Sequence, residues 1–103
     1  MRNYKAYEFS DLSKEVQAKV REREINTVVE MSMQELGNDL EHDRITEADY
    51  YKELGCSKSY AESTAWFVPS CYYEKHEKEV NRQVEEYLQQ DLYTASGTFI
   101  AVK

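Results

Sequence analysis

The sequence predicts an α+β fold in which a small antiparallel sheet packs on a long helix and two shorter helices. Two observations lead to this prediction. Strand-type sequence occurs near both ends, at residues 3–9 and 92–102, and the interior carries apolar residues at helical spacing. A helical bundle with incidental extended ends is the alternative. With 103 residues the chain has room for one modest core, so a single domain spanning residues 1–103 is expected.

The first predicted elements are a short strand and a long helix. Along Asn3–Phe9 the side chains would point alternately to the two sides of an extended chain, with aromatic residues on both sides, which is typical of a short edge strand. Ser10 or Ser13 can then accept hydrogen bonds from the free amides of a first helical turn. Apolar residues continue at helical spacing without a proline, so one helix is predicted from about residue 13 to 42, loosened at Gly37 and Asn38.

A short second helix is predicted at residues 47–54. Thr46 is its expected N-cap, acids occupy its first turn, and Gly55 is expected to end it. The serine-rich stretch that follows, residues 56–64, is predicted to be a loop.

Residues 65–73 form the most apolar run of the chain. Pro69 restricts any strand there to the edge of a sheet, because proline cannot donate to a central ladder. We expect Trp66 and Phe67 to lie in the core. If Trp66 were exposed instead, it would be an interface anchor.

A third helix and a hairpin are predicted for the C-terminal part. Residues 74–91 carry Val80, Val84 and Leu88 on one helical face. Residues 92–102 are then predicted to form a β-hairpin, in which Gly97 supplies the positive φ that its turn requires.

The acids are concentrated in residues 30–53, which we call the acidic segment. The segment holds eight acids and two bases, so it carries six of the chain's seven net negative charges. Residues 1–29 hold six bases and five acids, and residues 54–103 hold five bases and seven acids. Such concentration indicates either a solubilising face or a surface for a basic partner. The eight acids are Glu30, Glu35, Asp39, Glu41, Asp43, Glu47, Asp49 and Glu53.

Three of these acids are regularly spaced at the end of the predicted long helix. Glu35, Asp39 and Asp43 are four residues apart and are expected to form one like-charged stripe, at a cost of roughly 0.2–0.5 kcal/mol per pair in an isolated helix. Neighbouring tyrosines either anchor a partner beside the charge or pack within the protein. The predicted partner-binding residues are Glu35, Asp39, Glu41, Asp43, Glu47, Asp49, Tyr50 and Tyr51.

No cofactor or metal is expected. A calcium-loop template begins at Asp39, but its sixth position, which needs glycine, holds Arg44. Its twelfth position, which needs a bidentate glutamate, holds Tyr50. The sequence therefore favours a solvated acidic turn over a calcium site.

The two cysteines, Cys56 and Cys71, are too few to define a disulfide framework. We expect them to be thiols that behave as small, buried or half-buried hydrophobic residues. A zinc site built from both cysteines and His76 would lack a fourth ligand.

Several function classes are disfavoured by the sequence. Neither a glycine-framed serine nor a glycine-rich phosphate loop occurs, so an enzyme is not expected. The bases of the first helix alternate with acids and the net charge is −7, which argues against direct binding of nucleic acid. No apolar run approaches the roughly 20 residues of a membrane span. A cytoplasmic location is expected.

Residues 9–20, FSDLSKEVQAKV, resemble the start of many small phage and prophage proteins. The C-terminal LYTASGTFI is similar to the hairpin with which such proteins often end. The resemblance implies an accessory gene of a mobile element, a class whose products include small acidic inhibitors of host defence such as anti-CRISPR proteins. Such inhibitors often block the basic channel in which a Cas effector holds DNA.

These observations together predict a non-catalytic inhibitor that acts in the host cytoplasm. Its acidic segment would imitate nucleic acid and bind the basic nucleic-acid-binding groove of a host defence protein, such as a Cas effector nuclease. The alternative is a homodimeric structural or regulatory interaction protein, in which the long helix pairs with its copy and the acids keep the protein soluble.

Overall fold

The computed structural model describes residues 5–103, which form an α+β fold. The predicted fold class is therefore confirmed. The helices are α1 (Lys14–Glu41), α2 (Glu47–Leu54), α3 (Lys58–Ser63), α4 (Val68–Lys75) and α5 (Glu77–Gln90), and the strands are β1 (Tyr7–Glu8), β2 (Asp91–Tyr93) and β3 (Phe99–Val102).

The backbone divides into two compact units. One consists of the described residues up to Ile25 together with Asn81–Lys103, and the other is Asn26–Val80. Helices α1 and α5 contribute residues to both. Two units of this kind can belong to one domain, so the single domain stays a prediction.

The first unit contains an antiparallel sheet in the order β1-β2-β3. Tyr7 lies opposite Tyr93 on one side of β2, and Phe99 lies opposite Tyr93 on the other. The predicted hairpin is confirmed. The predicted N-terminal strand is shorter than expected, because Phe9 begins a 3₁₀ turn. Its first residues, Asn3 and Tyr4, lie outside the described residues.

The hairpin turn packs closely on α1. Gly97 has φ of +92°, and a Cβ at that position would lie 2.7 Å from Cγ2 of Val20, so only glycine fits. Arg23 donates from Nη2 to the Gly97 carbonyl oxygen at 2.8 Å. The fully buried side chains of this unit include Val20, Val84, Leu88 and Tyr93.

Helices α1 and α2 agree with the sequence prediction. Ser13 Oγ accepts from the Val16 amide at 3.2 Å at the start of α1, and the helix continues without a break through Gly37. Thr46 Oγ1 accepts from the Asp49 amide at 3.2 Å, and Gly55 ends α2 with φ of +82°. Local capping chemistry is thus enough to place both ends of α2.

Residues 56–73 differ from the prediction, because they are mainly helical instead of forming a loop and an edge strand. Ser57 Oγ accepts from the Tyr60 amide at 3.2 Å and starts α3. Pro69 lies in the first turn of α4, where its missing amide costs nothing. The third predicted helix also starts later than expected, since a break at His76 separates α4 from α5.

A candidate partner-binding surface

The net charge of the chain belongs to one of its two units. Residues 26–80 hold twelve acids and five bases, which gives the full net charge of −7, while the remaining residues hold eight of each. The sequence already indicated concentrated acidity. The structure adds that the charge coincides with a compact unit, so this unit presents a net negative field and the other does not.

The expected stripe of three acids is broken where α1 ends. Glu35 and Asp39 lie on α1, but the helix stops at Glu41 and Asp43 adopts a left-handed conformation with φ of +55°. The Arg44 amide donates to the Asp39 carbonyl oxygen at 2.8 Å and closes the turn. Asp43 therefore projects from a turn and not from the helical stripe, which corrects the prediction.

Some of the predicted contact acids have cationic neighbours within the same unit. Arg44 Nη1 lies 2.9 Å from Asp39 Oδ1, and Lys58 Nζ lies 2.8 Å from Glu47 Oε1. These pairs are solvent-exposed and contribute little to stability. They do reduce the charge available to a partner at these two positions.

Four of the predicted contact acids form no ion pair among the described residues. Among residues 5–103 no basic side chain lies within 4 Å of their carboxylates, and all four are exposed. This unneutralised set, which we call the free acids, consists of Glu35, Glu41, Asp43 and Asp49.

The two tyrosines of the predicted site pack partly inside the unit. Tyr50 and Tyr51 are half-buried, and their rings meet edge to face with centroids 5.0 Å apart. Burial, with a smaller contribution from Tyr51, raises the pKa of Tyr50. This geometry indicates that ring packing takes up much of the surface they could offer to a partner.

Trp66 is the strongest feature that the sequence prediction placed wrongly. It is 79% exposed and Phe67 is 40% exposed, although both were expected in the core. Their rings form an edge-to-face pair with centroids 5.4 Å apart in a 3₁₀ turn, and the neighbouring Val68 is buried in their place. Pro69 could have indicated this, because a helix that starts at Val68 with Pro69 in its first turn leaves Trp66 and Phe67 outside it.

His76, at the end of α4, forms polar contacts with Glu53, near the end of α2. His76 Nε2 is hydrogen-bonded to the Glu53 carbonyl oxygen at 2.7 Å and lies 3.6 Å from the Glu53 carboxylate. Within the described part of the chain, no group of three or more His, Cys, Asp or Glu residues is placed to hold a metal ion. The described residues thus present exposed carboxylates and one exposed tryptophan, which are side chains of the kinds that protein-binding surfaces use.

The comparisons with known proteins do not assign this surface. No known protein family matches the chain, and neither the curated proteins nor the solved structures gave a match. A search of residues 5–103 for helices of sufficient length and apolarity to cross a lipid bilayer also found none.

Proposed function

We propose that the chain is a non-catalytic, phage-type inhibitor that binds the basic nucleic-acid-binding groove of a host defence protein. The observation that carries the proposal is the location of the whole net charge of −7 in residues 26–80. Nucleic-acid-binding grooves are lined by lysine and arginine that neutralise phosphates, so a dense set of carboxylates can compete for them.

The free acids provide the charge for this competition. Their carboxylates are solvated and lack a cationic neighbour among the described residues, so a partner's bases would meet no internal competitor. Rim charges mainly set association rate and specificity, whereas exposed aromatics add affinity once water is excluded. Trp66 belongs to the same unit and is the side chain best suited to that second role.

The target class with the closest chemistry is an effector nuclease of a host defence system, such as a Cas effector. Its guide-target duplex lies in a positively charged channel that reads backbone shape more than base sequence. A protein with a compact negative unit can occupy such a channel without imitating any base. The inhibitor would act in the cytoplasm of the host cell, where these nucleases work.

Affinity capture from the native host, followed by mass spectrometry, tests the proposal. The wild-type chain is compared with a double charge reversal, Glu41→Lys with Asp43→Lys, and with a matched control, Glu15→Lys with Glu22→Lys. All four residues are exposed, and the control acids lie in the unit of zero net charge.

We expect the wild-type chain and the control to capture a basic nucleic-acid-binding protein that the double reversal at Glu41 and Asp43 fails to capture. DNA or RNA added in excess should displace that protein. Recovery of the same protein by all three chains, or recovery of the chain alone, contradicts the proposal.

A homodimeric regulatory protein is the second candidate, and one observation favours it. Strand β3 lies at an edge of the sheet and all four of its residues are exposed, with Phe99 at 49% and Val102 at 59%. An exposed apolar edge is a template for pairing with another strand. The unit that contains it has no net charge, so two copies would not repel each other there. Sedimentation of the purified chain distinguishes a dimer from a monomer.

A further inference from the structure

Cys56 and Cys71 come together where α2 packs against α4. Cys56 follows the glycine that ends α2, and Cys71 lies within α4. The two cysteines line the same depression between these helices. The backbones are also close, because a Cβ added at Gly55 would lie 3.1 Å from the Cys71 carbonyl oxygen.

Small reagents can reach both thiols. Both cysteines are half-buried and unpaired, and both line an open depression of about 770 Å³ between α2 and α4. Its wall also contains Lys52, Glu74 and Lys75, so the mouth is polar and carries charges of both signs. Neighbouring cations favour the approach of an anionic thiol compound.

We propose that Cys56 and Cys71 are a reversible thiol–disulfide pair that exchanges with small disulfides such as oxidised glutathione. Disulfide formation requires two sulfur atoms held in close approach by their backbones, and the short distance from Gly55, the neighbour of Cys56, to the Cys71 carbonyl oxygen favours such an approach.

The exchange proceeds in two balanced steps. The Cys71 thiolate attacks one sulfur of the oxidised glutathione, whose S–S bond breaks and releases one glutathione thiolate. Cys56 then gives its proton to solvent and attacks the Cys71 sulfur of the mixed disulfide, which expels the second glutathione thiolate. Two protein thiols are oxidised and one small disulfide is reduced to two thiols.

The order of attack follows from the surroundings of Cys56. Burial, followed by the neighbouring Cys71, raises the pKa of the Cys56 thiol. A protonated thiol is a poor nucleophile, so Cys56 is suited to the second, resolving step. The same burial makes the pair slow to oxidise at neutral pH and faster as pH rises.

The cross-link would close a loop of the chain that carries the exposed aromatics. Residues 57–70 lie between the two cysteines and include α3, Trp66 and Phe67. A disulfide restricts such a loop mainly in the unfolded state, so oxidation should stabilise this part of the unit. Oxidation should therefore make local unfolding of the segment that holds Trp66 less favourable.

Incubation of the whole chain in glutathione buffers of increasing oxidised fraction tests the pair. We expect peptide mapping to show an intramolecular Cys56–Cys71 link, a rise in Tm on the order of 10 °C, and reversal of both by dithiothreitol. The variant Cys56→Ser should accumulate glutathione on Cys71 and show no rise in Tm.

If a variant fails to fold, the measurements on the wild-type chain are enough to decide the question. Free thiols in every buffer, glutathione adducts without the internal link, or links only between two chains would each overturn the proposal.

Discussion

Arg44 forms an ion pair with Asp39 across the turn that ends α1, with 2.9 Å between Nη1 of Arg44 and Oδ1 of Asp39. We expect Arg44→Ala to lower the free energy of unfolding by no more than about 1 kcal/mol, because the pair is exposed. The same change should strengthen binding to a basic partner, since it releases Asp39. Urea unfolding and partner affinity measure the two effects.

The control for this change is Arg82→Ala, which removes one positive charge in the other unit, where Arg82 pairs with Glu86 at 2.8 Å. If both variants strengthen binding equally, the effect comes from net charge alone and Asp39 has no particular role.

Two glycines of the second unit should respond to alanine in opposite directions. Gly37 lies inside α1 with nothing within 4 Å of an added Cβ, so Gly37→Ala should stabilise by about 0.5–1 kcal/mol. Gly55 has φ of +82° and an added Cβ would meet the Cys71 carbonyl oxygen at 3.1 Å, so Gly55→Ala should destabilise by about 1 kcal/mol or more. Chemical unfolding of each variant checks the signs, and equal signs would be inconsistent with this structure.

A buried acid gives the stability a pH dependence. Burial raises the pKa of Asp91, and the Tyr93 hydroxyl, which approaches this carboxyl without reaching good hydrogen-bond geometry, only partly offsets the effect. Burial also raises the pKa of Glu24, while Arg23 lowers it by a smaller amount and Asp91 adds a further, smaller rise. The folded state therefore holds more protons than the unfolded chain in mildly acidic solution, and stability falls as pH rises through the raised values.

The variant Asp91→Asn removes the loss of stability that arises when the buried Asp91 carboxyl becomes charged. Its free energy of unfolding should exceed that of the wild type at pH 7, and the difference should shrink as pH falls towards the ordinary carboxyl pKa of about 4. Urea unfolding across pH 3–8 measures the difference, with Asp11→Asn as an exposed control in the same unit. A difference that does not change with pH would show that the substitution acts through packing and not through the charge.

Because Trp66 is exposed, its substitution should change partner binding much more than the stability of the fold. Because the side chain is 79% exposed, Trp66→Ala should change the free energy of unfolding by less than about 0.5 kcal/mol. If Trp66 anchors the partner, the same variant should lose about 2 kcal/mol of binding, or roughly 30-fold in Kd. Phe99→Ala, an exposed aromatic of the other unit, is the control. Unchanged affinity in Trp66→Ala would remove it from the interface.

The elements that could be predicted from sequence are those whose ends depend on local chemistry. The Thr46 cap and the left-handed Gly55 place α2 without knowledge of the rest of the chain. Pro69 is ambiguous by comparison, since it is compatible both with an edge strand and with the first turn of a helix. The burial of Val68 accompanies the helical form, and burial of this kind is a tertiary property.

The candidate surface also has some features that could be predicted from the sequence and others that could not. The acids of the segment were evident from composition, because charged side chains are almost always exposed. The neutralisation of Asp39 was not evident, because it depends on where α1 stops and on the left-handed conformation of Asp43. Nor was the exposure of Trp66, which follows from the start of α4.

Measuring how binding depends on salt concentration is the sharpest test of whether the free acids drive association. Once the host partner is purified, its Kd for the wild-type chain should rise steeply with salt concentration. The Glu41→Lys, Asp43→Lys variant should bind at least about 100-fold more weakly at low salt and show a flatter dependence, whereas the Glu15→Lys, Glu22→Lys control should retain both properties. Equal affinity and equal salt dependence in all three chains would contradict the account.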